Sequence, residues 1–296
     1  MTLDERVQAF TEEIWQWFDR KKRKLPWRDL KVRDPEERAY RVLVSEVMLQ
    51  QTQVPRVEVI YRRFIREFPT LRALARASNR EVLIEWRGLG YNTRALRLRD
   101  AAKVIVEKYG GKFPREISEL CAIKGIGRYT AAAIRNFAWN LPTPCLDTNI
   151  RRVLHMSFVG PPKRDGTWRK DDRFLLELAA QVLRRALTRG TAAEWHSALM
   201  DYGSLFLKGA SGKSKRKKPE PGRTVHGRFI PNRIFRGRVV EALRNSSKGL
   251  TLERIGRHIA PDWDAKHHRV WLREIAERLV QERLLTRVGG RYLLHP

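Results

Sequence analysis

Apolar positions recur every three to four residues along most of the chain, the spacing of helices that bury one face. Val7, Phe10, Ile14, Trp15 and Phe18 mark a helix over 3–21, and Leu25-Pro26-Trp27-Arg28 breaks it. The run ERAYRVLVSEVMLQ marks a second helix at 36–50. Further helical segments fall at about 54–67, 70–76, 79–86, 92–109, 115–121, 128–138, 147–157, 169–188 and 191–206. No strand alternation interrupts them, so residues 1–207 predict an all-α domain with short connections. Gly88-Leu89-Gly90-Tyr91 breaks the series as a tight loop carrying an aromatic.

Residues 208–232, KGASGKSKRKKPEPGRTVHGRFIPN, lack an apolar period and are rich in Gly, Ser, Pro and Lys. They predict a flexible basic linker. Beyond it, helical patterns at about 233–244, 250–258 and 265–283 are followed by an alternating end around Gly289-Gly290 that predicts a β-hairpin. Three helices closed by a hairpin suggest a small winged-helix-like α+β domain over 233–296.

Two places break the simple pattern. Glu46 lies inside an otherwise apolar helical run. A buried carboxylate is costly, so it must face a cleft or a partner. At 120–150, Lys124-Gly125-Ile126-Gly127 ends one short helix and Arg128-Tyr129-Thr130 starts the next. Glycines let the backbone turn sharply there, and the first-turn N–H groups of the second helix can hold a phosphate. Asp147 follows a Pro-containing turn, where it also suits a helix N-cap.

Charge names the ligand class. Lys and Arg number 61 against 33 Asp and Glu, a formal net charge of +28. Such a charge opposes compaction unless an anionic partner offsets it, so nucleic acid is expected. No run approaches the roughly 20 apolar residues of a membrane span. The acidic, amphipathic start is unlike a signal peptide, so a soluble intracellular protein is expected, cytoplasmic and nucleoid-associated or nuclear. Cys121 and Cys145 are the only thiols and are expected to be reduced core residues.

Several stretches resemble the helix-hairpin-helix DNA glycosylases, most closely the MutY-type adenine glycosylases: LPWR at 25–28, LVSEVMLQQTQV at 43–54, WRGLGYNTRA at 86–95, GGKFP at 110–114, IKGIGRYTAAAI at 123–134 and LDTNIRRVL at 146–154. HSALMDYGSLF at 196–206 is a weaker match. The resemblance covers residues 5–207 and implies a mainly α, two-lobed helix-hairpin-helix glycosylase fold. It implies Glu46 as the general acid that protonates the leaving base. It implies Asp147 as the carboxylate facing an oxocarbenium-like sugar, directly or through a transient adduct. Asn149 would position Asp147 or the attacking water. Tyr129 stands where bifunctional relatives such as endonuclease III carry a lysine nucleophile. Tyrosine forms no Schiff base, so a monofunctional enzyme is expected, with Tyr129 orienting one of the acids. Gln51 and Tyr91 resemble the pair that fills the gap left by an extruded base. Gln50, Lys124, Gly125, Gly127, Arg128 and Thr130 would contact DNA, and Arg28 would touch the base pocket.

Three departures qualify the resemblance. The family usually carries four cysteines for a [4Fe–4S] cluster after Phe206, and this chain has none there, so no metal or cofactor is expected and the Lys/Arg run could contact phosphate instead. The larger β-rich C-terminal domain by which MutY enzymes recognise 8-oxoguanine is replaced by the winged-helix-like unit. Thr148 stands where MutY members usually have glycine. The expected activity is excision of a mispaired base from double-stranded DNA by a monomer, adenine opposite guanine or 8-oxoguanine being favoured. A thymine or uracil glycosylase acting on mismatches with guanine is the alternative within the class; those relatives also carry Tyr at the position of Tyr129, but generally lack the Gln50-Gln51-Thr52 block. A DNA-binding protein without catalysis is the alternative outside it.

Overall fold

The computed structural model describes residues 1–28, 32–205 and 220–296. Its helices stand where the periodicity predicts them, to within about three residues at each end: α1 (Leu3–Lys21), α2 (Pro35–Leu49), α3 (Val54–Glu67), α4 (Leu71–Arg76), α5 (Asn79–Glu85), α6 (Thr93–Tyr109), α7 (Ile117–Ala122), α8 (Arg128–Trp139), α9 (Thr148–Leu154), α10 (Asp172–Ala186) and α11 (Ala192–Leu205). Local chemistry explains several starts. Thr2 with Glu5 and Ser78 with Glu81 form capping boxes that satisfy the first N–H groups of α1 and α5. α9 runs on into a π-helical turn over His155–Val159 and stops at Gly160, whose φ is +105°.

After residue 219 come β1 (Gly222–Val225), β2 (Arg228–Pro231), α12 (Asn232–Arg244), β3 (Leu250–Thr251), α13 (Leu252–Ile259), α14 (Ala265–Gln281), β4 (Leu285–Val288) and β5 (Arg291–Leu294). β5 lies between β3 and β4, antiparallel to both. Three helices and this three-stranded sheet follow in the order of a winged helix. The expected linker needs a correction at its end: residues 222–231 form an antiparallel hairpin, with His226 and Gly227 at φ +45° and +76° in its turn. Such a turn matches the twist of the flanking strands. Residues 208–219 of the expected linker, with their Lys/Arg run, lie outside the described residues. No helix among the described residues is long and apolar enough to cross a membrane.

Contacts divide the chain into two units, Met1–Glu46 with Lys112–Arg216 and Val47–Gly111 with Lys217–Pro296. In the first, Phe10, Ile14 and Trp15 of α1 pack with Ile150 and Val153 of α9, Leu175 and Val182 of α10, and Trp195 of α11. In the second, α4 and α5 pack on α6, and α12 packs on α5. Arg244 at the end of α12 is buried there, its Nε donating to Leu83 O at 3.0 Å and its Nη2 to Asn92 Oδ1 at 3.0 Å. The C-terminal segment therefore shares a unit with residues 47–111.

Candidate active site

The first unit brings the two acids together. The route to Asp147 starts at α8, which ends on Asn140 in the left-handed conformation. Asn136, fully buried, donates Nδ2 to Thr143 O at 2.8 Å and accepts from Thr143 N at 2.9 Å. This two-point clamp fixes the loop leading to residue 147. Behind it, His196 uses one ring nitrogen on Ala192 O at 2.8 Å and faces Asn136 with the other at 3.4 Å. Burial pushes its pKa down to about 4, so it is neutral there.

Asp147 caps α9, accepting from Ile150 N at 2.6 Å, while Asn149 Nδ2 donates to its other carboxylate oxygen at 3.1 Å. Burial raises the Asp147 pKa and those two donors pull it back toward the ionised form. α11 holds α9 in place through Gly203. A Cβ on Gly203 would lie 2.8 Å from Asn149 O, so only glycine allows this approach. Arg152 ties the same two helices, donating to Gly203 O at 2.8 Å.

Glu46 is 7 % exposed. Its pKa is raised to about 7, first by burial, with the Asp147 charge adding to the rise. A hydrogen bond from the half-buried Tyr129 hydroxyl and the Arg28 charge oppose it. Burial and the two carboxylates also push the Tyr129 phenol up, so it stays a neutral donor. Arg28 itself is held by Asp201, which is fully buried; Nη1 donates to Oδ2 at 2.8 Å. Asp201 also accepts from Arg23 N at 3.0 Å and Arg23 Nε at 2.6 Å. A carboxyl that holds its proton near neutral pH beside a second carboxyl held by two N–H donors is an arrangement that could donate a proton and face a cation.

The hairpin ahead of α8 presents Lys124, Gly125, Gly127 and Arg128 at the surface. Gly125 needs its glycine, with φ at +104°. Gly127 has an ordinary φ of −87°, and a Cβ on it would meet nothing within 4 Å. Neither backbone nor packing requires that second glycine, which suits close approach of an outside group. Thr130, also expected to contact DNA, is 3 % exposed, so its backbone N–H in the first turn of α8 is the group that could serve.

The second unit holds Gln50, Gln51 and Tyr91, all exposed. Gln51 and Tyr91 both adopt left-handed backbone, φ +56° and +44°, which costs about 1 kcal/mol or more for a side chain of that size. A single guanidinium holds both loops. Arg94, 7 % exposed, donates Nη1 to Val47 O at 2.9 Å, to Met48 O at 3.1 Å and to Gln50 O. Its Nη2 reaches Thr52 Oγ1 and Leu89 O, each at 3.1 Å, and Gly90 O at 3.2 Å. Its carbon stands 5.6 Å from the Tyr91 ring centre. Sequence reasoning missed Arg94, Asp201 and Asn136. Arg94 reads as one more helix cation, and nothing local in the sequence shows that six acceptors surround it.

The sequence profile of the HhH-GPD superfamily of base-excision DNA repair proteins matches residues 44–171, a span that holds Glu46, the hairpin and Asp147. The adenine DNA glycosylase of Mycolicibacterium smegmatis is 35 % identical over 252 residues, covering 81 % of this chain and 82 % of that one. The chain belongs to the HhH-GPD superfamily. The adenine DNA glycosylase of Mycobacterium tuberculosis is 32 % identical over 299 residues, with 94 % and 91 % covered. The mouse adenine DNA glycosylase is 46 % identical over 151 residues, but the chain spans only 29 % of its length. Among solved HhH structures, a thermostable thymine-DNA glycosylase superposes with TM-score 0.56 at 24 % identity, covering 68 % of this chain and 87 % of that one. Endonuclease III trapped on DNA superposes with TM-score 0.52 at 21 % identity, covering 72 % and 92 %. At those identities the likeness speaks for the fold.

The iron–sulfur cluster usual among such relatives does not fit these residues. Cys145 is buried beside the acids, its thiol pushed up by burial and by Asp147, whereas Cys121 is exposed on α7 and is not the core residue expected. Two thiols cannot supply four thiolates. Among the described residues no group of three or more His, Cys, Asp or Glu is arranged to hold a metal ion.

Proposed function

We propose that this chain is a monofunctional adenine DNA glycosylase of base-excision repair, hydrolysing the N-glycosidic bond of adenine opposite guanine or 8-oxoguanine in double-stranded DNA. The observation that carries the reading is Glu46, a buried carboxyl raised to about 7 beside Asp147. Glu46 gives its proton to a ring nitrogen of adenine. The C1′–N9 bond then breaks with its electron pair leaving on the base, and the Asp147 carboxylate faces the positive charge developing on the sugar. Water adds to C1′ and its proton returns to Glu46, so neutral adenine and an abasic site result. Asn149 keeps Asp147 aimed and Tyr129 keeps Glu46 aimed; Arg28, anchored by Asp201, lines the base pocket. Gln51 and Tyr91 fill the space left by the extruded nucleotide, with Gln50 alongside. Lys124, Arg128 and the backbone from Gly125 to Thr130 hold the phosphates. The protein works as a monomer and without a cofactor. The shared name of its mycobacterial relatives supports adenine.

The test is incubation with duplexes containing A·G, A·8-oxoguanine, T·G or U·G pairs, each with and without alkali. Alkali-dependent cleavage at adenine, and none without alkali, is expected. Cleavage confined to T·G or U·G gives the protein to thymine or uracil instead, and no cleavage anywhere overturns the enzyme reading. Asp147→Asn retains the oxygen that caps α9 and is expected to fold while losing about 10²-fold or more in rate.

A further inference from the structure

The winged-helix-like unit has a face that nothing in the excision chemistry uses. α13 and α14 stand in the order of a helix-turn-helix, with the β4–β5 hairpin as a wing, and in that arrangement the second helix presents its outer side to a DNA groove. α14 buries Leu272, Ile275, Ala276 and Leu279. Its opposite side exposes Lys266, Arg269, Val270 and Arg273, spaced to form one stripe along two turns.

The charges on that stripe make no contact ion pair, while most other arginines of the segment are paired. Arg223 meets Asp262, Arg236 meets Glu282, Arg244 meets Glu241, Arg257 meets Glu253 and Arg283 meets Asp100. Glu277 of α14 is drawn to the Tyr292 hydroxyl at 2.8 Å and to Arg287 at 3.3 Å. Among the described residues, Lys266, Arg269 and Arg273 make no ion pair within 4 Å; Arg269 helps hold the Glu253 carboxyl below its ordinary pKa, and Asp264 and Glu274 are the acids exposed beside the stripe. Like charges at this spacing repel on an isolated helix, and a bound anion relieves that repulsion. Val270 is 68 % exposed amid the cations, and Val288 at the wing tip is 62 % exposed.

We infer that the Lys266–Arg269–Val270–Arg273 face of α14, with the β4–β5 wing, is a second binding surface for double-stranded DNA, additional to the residues proposed for base excision. A helix about 10–12 Å across fits the roughly 12 Å major groove of B-DNA, whereas the deep, narrow groove of A-form RNA excludes it. One apolar side chain among cations is too little to insert into a lipid surface, but it suits a sugar or a thymine methyl. The grip on α14 is sequence-tolerant, since Lys and Arg meet phosphate, and it lengthens the contact with undamaged duplex. Arg244, which ties α12 to Leu83 and Asn92, fixes this surface within the unit that carries Tyr91.

The test uses the full chain and an undamaged duplex of about 30 base pairs, with affinity measured by fluorescence anisotropy between about 50 and 200 mM salt. For K266A/R269A/R273A the slope of log affinity against log salt is expected to fall by about 2.7, from roughly −0.9 per lost phosphate contact, so the variant loses about 40-fold less affinity across that range. The charge-preserving K266R/R269K/R273K is expected to keep the slope. Val270→Glu, a change at an exposed position that folding tolerates, is expected to weaken duplex binding about tenfold or more, and decides the matter if the triple variant fails to fold. Single-turnover excision at saturating enzyme stays unchanged in all three, and the duplex readout stands whether or not adenine is the base removed. Unchanged slope and affinity overturn the proposal. So does an equal loss in the charge-preserving variant, or a loss seen only with double-stranded RNA or anionic vesicles.

Discussion

At the scale of single residues, the site is built on a destabilising group. The folded protein holds the Glu46 proton more tightly than the unfolded chain, with a pKa raised from 4.5 to about 7. Its contribution to stability is therefore greatest below about 4.5 and is lost as pH rises to about 7, a loss on the order of 3 kcal/mol. Glu46→Gln, which never ionises, is expected to be more stable than the native chain by about 1–3 kcal/mol at pH 8, with the advantage gone near pH 5. Urea unfolding at the two pH values measures it. Glu46 was legible in the sequence because a carboxylate in an apolar run is a conflict that needs a reason. Asp201 was not, because its three donors come from Arg23 and Arg28, nearly 180 residues away.

At the scale of elements, the geometry depends on close approach and on shared anchors. Gly203→Ala puts a methyl 2.8 Å from Asn149 O and 2.9 Å from its Cβ, so α9 must shift. A cost of about 1–3 kcal/mol is expected from overpacking, together with a lower excision rate at saturating substrate, because Asp147 and Asn149 start that helix. Arg94→Ala strips the carbonyls of both Gln50 and Leu89 of a common donor. Stability is expected to fall by about 3 kcal/mol, and binding to a mispaired duplex to weaken more than the rate of the bound complex falls. Arg94→Lys does not restore it, since one ammonium cannot reach what a forked guanidinium reaches. The hairpin at 222–231 was hidden inside a Pro- and Gly-rich stretch read as a linker. Its His226-Gly227 pair between RTV and RFI was the available signal, weaker than Asn-Gly because histidine visits positive φ less readily. β3, two residues long, offers no alternation to read.

At the scale of the whole molecule, the order of helices was legible because each buries one face at a fixed period. Membership of the two units was not, because it rests on contacts between distant stretches, such as Arg244 on Leu83 and Asn79 with His295. Arg244→Ala is expected to cost about 1–3 kcal/mol by leaving Leu83 O and Asn92 without that donor, and to raise protease sensitivity in 217–296. Membership of the HhH-GPD superfamily fixes the class of chemistry, and the net charge of +28 suits a polyanionic partner.

The most direct measurement of the central claim is the pH dependence of single-turnover adenine excision from an A·8-oxoguanine duplex. Glu46 must carry its proton to donate it, so the rate should hold below about 7 and fall about tenfold per pH unit above, while Glu46→Gln loses about 10²–10⁴-fold and the descending limb with it. A rate that is flat from pH 6 to about 9, or a Glu46→Gln variant that keeps both its rate and the same limb, would contradict the assignment of Glu46 as the acid.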